Sequence, residues 1–210
     1  GQMSGLSVRV GDTIAPAGIY ASDHDLFVFM INEGTRVRQP DGKELSRGFF
    51  LIHSEVQCRV LGVVTFLYNH VCGNHIVWGA EDVRDHRIVH RGDATKIRDR
   101  GLTLLDTVST HQREESAHEQ EAIIQGAWAR VLGKDKEEIV TIGQRMSALP
   151  KKTVEAAYVQ AEQHPEDGHA GPNTAWGMIQ GLTRVANDQP YADGAESLNN
   201  AASRILKAVS

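Results

Sequence analysis

At 210 residues the chain is long enough to bury a core, as one large domain or two small ones. Its composition is globular, 40% hydrophobic and 23% charged, which excludes wholesale disorder, collagen-like repeats and a coiled-coil rod. The net charge of -5 is spread evenly, with 9 Lys/Arg against 11 Asp/Glu in residues 1–94 and 13 against 16 in residues 95–210, so any nucleic-acid surface has to be local.

The chain begins Gly1-Gln2-Met3, which reads as a cloning boundary rather than a natural start. From Asp25 the run Asp-Leu-Phe-Val-Phe-Met-Ile-Asn is apolar, aromatic and β-branched, and predicts a buried strand. Pro40-Asp41-Gly42 is a turn signal between Thr35–Arg38 and Gly48–His53, so a hairpin is expected there. The segment 59–72 is ambiguous. Leu61, Thr65, Tyr68 and Cys72 make a helical stripe, whereas Val63, Val64, Phe66 and Leu67 suit a strand or a fully buried helix; the expectation taken is a helix. Ile76-Val77-Trp78 and Arg87–His90 read as two further short strands.

After Asp93 the period changes. Leu102, Leu105, Val108, Ile124, Trp128, Val131 and Leu132 fall at three- and four-residue steps, which predicts one long or broken helix over 94–133, ending at Gly133. A helix is expected over Lys136–Ser147, another after Pro150, one capped by Asn173 or Thr174, and a last one carrying Leu198, Ala201, Ala202 and Ile205. The segment 164–172 is a loop by composition. The fold class is therefore α+β, with a strand-rich part over 1–93 and a helical part over 94–210, as two subdomains or one continuous domain.

The longest weakly charged run, Val60 to Ala80, holds Asn69, His70, Asn74 and His75 and is too polar to span a membrane. With no leader legible at the start, a bacterial cytoplasmic location is expected, with Cys58 and Cys72 as reduced core thiols. Two clusters carry metal-type residues. His70, Cys72 and His75 lie within one apolar stretch that offers no second ligand pair. His111, Glu114, Glu115 and His118 share one helix face, where a solvated polar stripe is the commoner explanation, and a metal-dependent hydrolase is the least favoured reading. His24, between Asp23 and Asp25, suits a capped turn as well as an acid–base group. Gly-x-Ser-x-Gly, Walker-type and Cys-x-x-Cys motifs are missing from the sequence, so neither a cofactor nor a catalytic residue is assigned.

The densest local charge runs from Arg84 to Arg100. Arg84, Arg87, Arg91, Lys96, Arg98 and Arg100, with His90 among them, stand against Asp85, Asp93 and Asp99. Arginines on a strand and on a following helix N-terminal turn can track phosphates. The aromatic residues Phe27, Phe29, Phe49, Phe50 and Tyr68 can stack bases, although at strand spacing they are more often core.

Three stretches taken together carry a resemblance. They are Tyr20-Ala-Ser-Asp-His-Asp-Leu-Phe-Val-Phe29 with Arg47-Gly-Phe-Phe-Leu-Ile-His-Ser-Glu-Val56, then Leu61 to Gly79 with Arg87-Ile-Val-His-Arg-Gly-Asp-Ala94, and Asn173-Thr-Ala-Trp-Gly177. The chain resembles the phage- and plasmid-like proteins of the domain-of-unknown-function nine-three-two group. That family carries Asn where this chain has His53, and its full-length members have a sizeable segment ahead of this chain's first residue. The resemblance implies a mobile genetic element and a fragment or short member, and supplies no catalytic residues. It favours a non-enzymatic accessory of replication, recombination or defence evasion, binding single- or double-stranded nucleic acid. The alternative partner is a protein, a second copy or a host factor, held by the helix predicted from Ala94.

Overall fold

The computed structural model describes residues 4–10, 13–21, 25–54, 62–69, 74–77, 114–165, 171–189 and 192–210, together with Thr95, Asp99, Leu102, Thr103 and Asp106. The strands are β1 (Ser4–Val10), β2 (Thr13–Ala21), β3 (Asp25–Arg38), β4 (Glu44–Ser54), β5 (Gly62–Asn69) and β6 (Asn74–Val77). They form one antiparallel sheet in chain order, so each pairs with its sequence neighbour. The helices are α1 (Glu114–Ala129), α2 (Lys136–Ser147), α3 (Lys151–Gln163), α4 (Ala175–Asn187) and α5 (Ala192–Val209). Strands precede helices, as expected for an α+β chain.

The β3–β4 hairpin follows its turn chemistry. Gly42 N–H donates to Gln39 O at 2.9 Å across Pro40 and Asp41, and Gln39 N–H donates to Lys43 O at 2.8 Å. Proline presets the first turn position, and Gly42 takes a φ of +84°, which a side chain would strain. Farther along, the register jumps between Asn32, opposite Arg47, and Arg36, opposite Ser46. This bulge reverses the alternation of β3. Val37 consequently pairs with Leu45 on the helix-facing side, while Arg36 and Arg38 turn to the opposite side.

The segment 59–72 corrects the sequence expectation. Gly62–Asn69 is a strand, paired with β4 from Ile52↔Gly62 to Ser46↔Tyr68. Both faces of the sheet are closed at this point, with Leu67 in the helix-facing core and Phe66 buried on the other side over Gly48. A strand buried on both faces loses its period of two, so the apolar run Val63, Val64, Phe66, Leu67 carries the information. The helix expected over 94–133 is also revised. Helical backbone occurs at Thr95, Asp99, Leu102, Thr103 and Asp106, but the described helix ends at Ala129. Arg130–Leu132 leave it to pair with 173–175 instead, through Leu132 N–H to Asn173 O and Ala175 N–H to Arg130 O, both 2.8 Å.

Local signals set the remaining helices. Asp135 caps α2 by accepting from Glu138 N–H at 2.9 Å, and Glu138 reaches back to Lys134 N–H at 2.9 Å. Thr174 Oγ1 caps α4, accepting from Gly177 N–H at 3.0 Å. From Ala175 to Thr183 every residue of α4 is buried, the pattern of a helix surrounded on all sides. Val154 and Met178 both close on Gly143, and Gly181 lies against the Ala157 backbone, so α3 and α4 run side by side in the same direction. The core joins Val37, Leu45 and Leu67 of the sheet to Ile124, Ile139, Val154, Trp176, Met178, Ile179, Leu182 and Ile205 of the five helices.

Candidate functional site

Where the sheet meets the helices, the contact is polar as well as apolar. Arg47 stands on the helix-facing side of β4, 1% exposed, and its Nε donates to Gln120 Oε1 of α1 at 3.0 Å. Burial pushes this guanidinium below its ordinary value. Trp176 Nε1 also donates to Gln39 Oε1 at 3.0 Å, tying the hairpin turn to α4. The Gln39 Nε2 donor is buried without a protein partner among the described residues. At the rim, Arg38 N–H donates to Glu121 Oε1 at 2.9 Å. The seam thus seats the tip of the β3–β4 hairpin on α1 and α4 at three points. Sequence reasoning missed Arg47, Gln39 and Gln120. The one usable signal was a lone arginine between Leu45 and Phe49, which strand alternation puts on the side of Leu45.

The opposite side of the sheet has a different character. Register places Phe66 and Tyr68 on this side, while Phe49 falls toward the helices; the side chains of Phe27, Phe29 and Phe50 lie outside those the structure describes. Phe66, read in the sequence as a buried residue of 59–72, is 1% exposed, so the middle of this side is closed. Toward the hairpin tip it opens, with Tyr68 half-buried and Arg36 and Arg38 exposed.

The arginine-rich candidates Arg84, Arg87, His90, Arg91, Lys96, Arg98 and Arg100 lie outside the described residues, as do His24, Cys58, His70, Cys72, the Arg87–His90 strand and His111. Of the helical stripe, Glu114, Glu115 and His118 belong to α1, and His118 is exposed with Nδ1 3.5 Å from Glu121. Among the described residues no group of three His, Cys, Asp or Glu side chains could hold a metal ion. No described helix is long and apolar enough to cross a membrane.

No protein-family model, curated protein or solved structure matches the chain. The resemblance to phage- and plasmid-like proteins therefore enters only as a proposal.

Proposed function

We propose that the protein is a non-enzymatic nucleic-acid-binding accessory of a phage or plasmid, acting in replication, recombination or defence evasion. The observation that carries this reading is the local charge of the sequence between Arg84 and Arg100. Six Lys/Arg stand against three Asp between Arg84 and Arg100, in a chain whose net charge is -5. The acidic remainder limits contact to local basic surfaces and keeps non-specific affinity low.

The test is fluorescence anisotropy with single-stranded DNA, duplex DNA and RNA at low and physiological salt. Replacing Arg87 and Arg91 by Ala is expected to weaken binding and to reduce the salt slope by about two, one for each lost phosphate contact. Binding and slope unchanged in the double variant would remove this segment from the account.

A second reading, a protein-interaction or self-assembling module, draws support from Leu102. The helical pattern predicts it as a core position, yet it is 59% exposed. Size-exclusion chromatography with light scattering separates the two, because a strict monomer counts against self-assembly.

A further inference from the structure

The turn between α2 and α3 gathers positive charge from three helices. Arg204 of α5 reaches it, its Nε and Nη2 donating to Ser147 O at 3.1 and 2.6 Å. That carbonyl belongs to the last turn of α2, so the guanidinium satisfies an otherwise orphaned acceptor. The two bonds use two of its five donors, and Arg204 remains exposed. Arg145 precedes Ser147 by two residues in α2, and Lys151 and Lys152 open α3 four and five residues after it. All three are exposed. Ser147 and Lys151 stand no more than about 14 Å apart at Cα, the reach of four extended residues. Neither Arg145 nor Lys152 has an ion-pair partner among the described residues, and Lys151 meets only Glu155, at 3.8 Å and open to solvent. Packing does not require this cluster. Arg145 and Arg204 suit the C-terminal end of α2, where the helix dipole favours cations. Lys151 and Lys152 stand at the opposite kind of end, in a first turn with no acidic residue and no side-chain cap. Like charges gathered in this way oppose folding, and conflicts of this kind are expected where a ligand of opposite charge binds.

We propose that Arg145, Lys151, Lys152 and Arg204 form a contact surface for the phosphate backbone of nucleic acid, bound without regard to sequence. This inference rests on the nucleic-acid reading above and adds a second local surface to it. Four cations stand there against the single carboxylate of Glu155, in a chain whose net charge is -5. Duplex DNA carries one negative charge per about 1.7 Å of its axis, so a corner of this width faces several phosphates. Residues 144–152 include no aromatic side chain, which leaves phosphates and not bases as the groups contacted.

The test compares Arg145→Ala/Lys151→Ala/Lys152→Ala with Arg130→Ala/Lys134→Ala, which removes two exposed cations ahead of α2. Arg204 is kept in both, because its loss would also strip Ser147 O of its donors. Each variant is titrated against labelled single-stranded DNA, duplex DNA and RNA across a salt series, after a thermal melt that removal of the lysines should leave unchanged or raise. The triple variant is expected to weaken binding about tenfold and to lower the salt slope by about two to three, one for each lost phosphate contact. Arg130→Ala/Lys134→Ala is expected to change the slope by less than about one. An equal loss per cation in the two variants would show that net charge governs binding, and would overturn the proposal. If Arg87→Ala/Arg91→Ala weakens binding while the triple variant does not, the corner is overturned and the nucleic-acid reading stands. If wild type binds none of the three probes, both are overturned.

Discussion

The surroundings of α4 and the seam under the β3–β4 hairpin are both buried, yet they are built from different materials. Around α4 the contacts are apolar and close enough that Gly181 has the Ala157 carbonyl where a Cβ would stand. Under the hairpin, Arg47, Gln120, Gln39 and the Trp176 indole meet through directional hydrogen bonds. Apolar packing is tolerant of rotation and rewards volume, whereas hydrogen bonds fix one orientation and penalise the loss of either partner. The helical core therefore supplies stability, and the seam fixes where the sheet sits on it. That placement decides which strand residues face away from the helices, including Arg36, Arg38 and Tyr68.

The largest expected effect breaks the apolar side of the comparison. In an open helix, Gly→Ala is worth about 1 kcal/mol of added stability. Gly181→Ala should instead cost about 2 kcal/mol or more, because backbone atoms of α3 cannot yield as a side chain can. Chemical denaturation measures this, and a stabilised variant would mean that α3 and α4 do not pack as described. On the polar side, Gln120→Leu should cost about 1–3 kcal/mol by removing a hydrogen bond from a buried guanidinium. Arg47→Met, which removes the charge and keeps the length, should be milder or even stabilising. The reverse order would show that the charge itself, and not its satisfaction, holds the seam.

A smaller effect belongs to the local signals. Asp135→Ala should cost about 1 kcal/mol by exposing the first turn of α2, with Asp135→Asn near wild type. The smallest is electrostatic and belongs to Tyr158 of α3, which is partly buried against the core. Tyr158 ionises above its ordinary value, chiefly through burial, with the Glu162 carboxylate adding repulsion and a hydrogen bond. A tyrosine raised in the folded state adds stability that is complete below its unfolded value near 10 and is lost as the pH climbs through the folded one. Glu162→Gln should move the Tyr158 transition back toward its ordinary value in an absorbance titration. An unmoved transition would leave burial as the sole cause.

What could be read in the sequence divides along the same line. Elements announced by local chemistry were legible: the Pro40-Asp41-Gly42 hairpin turn, the helix over Lys136–Ser147, Pro150 ahead of α3 and the Thr174 cap. Elements set by their surroundings were not. β5 looked helical because burial on both faces erased its alternation. β1 and β2 were passed over because Gly5, Pro16 and Gly18 interrupt any strand pattern. The bulge between Asn32 and Arg36 is not visible as a composition signal, yet it reverses which residues of β3 face the helices. The arginine-rich segment 84–100, legible as charge, lies outside the described residues except for Thr95 and Asp99, and remains a reading of composition.

The most direct measurement of the central claim is the affinity of the wild-type chain for labelled single-stranded DNA across a salt series. Binding whose logarithm falls linearly with the logarithm of salt concentration is the predicted result. An absence of binding at the lowest salt would contradict it, and the exposed Leu102 would become the place to look for a protein partner.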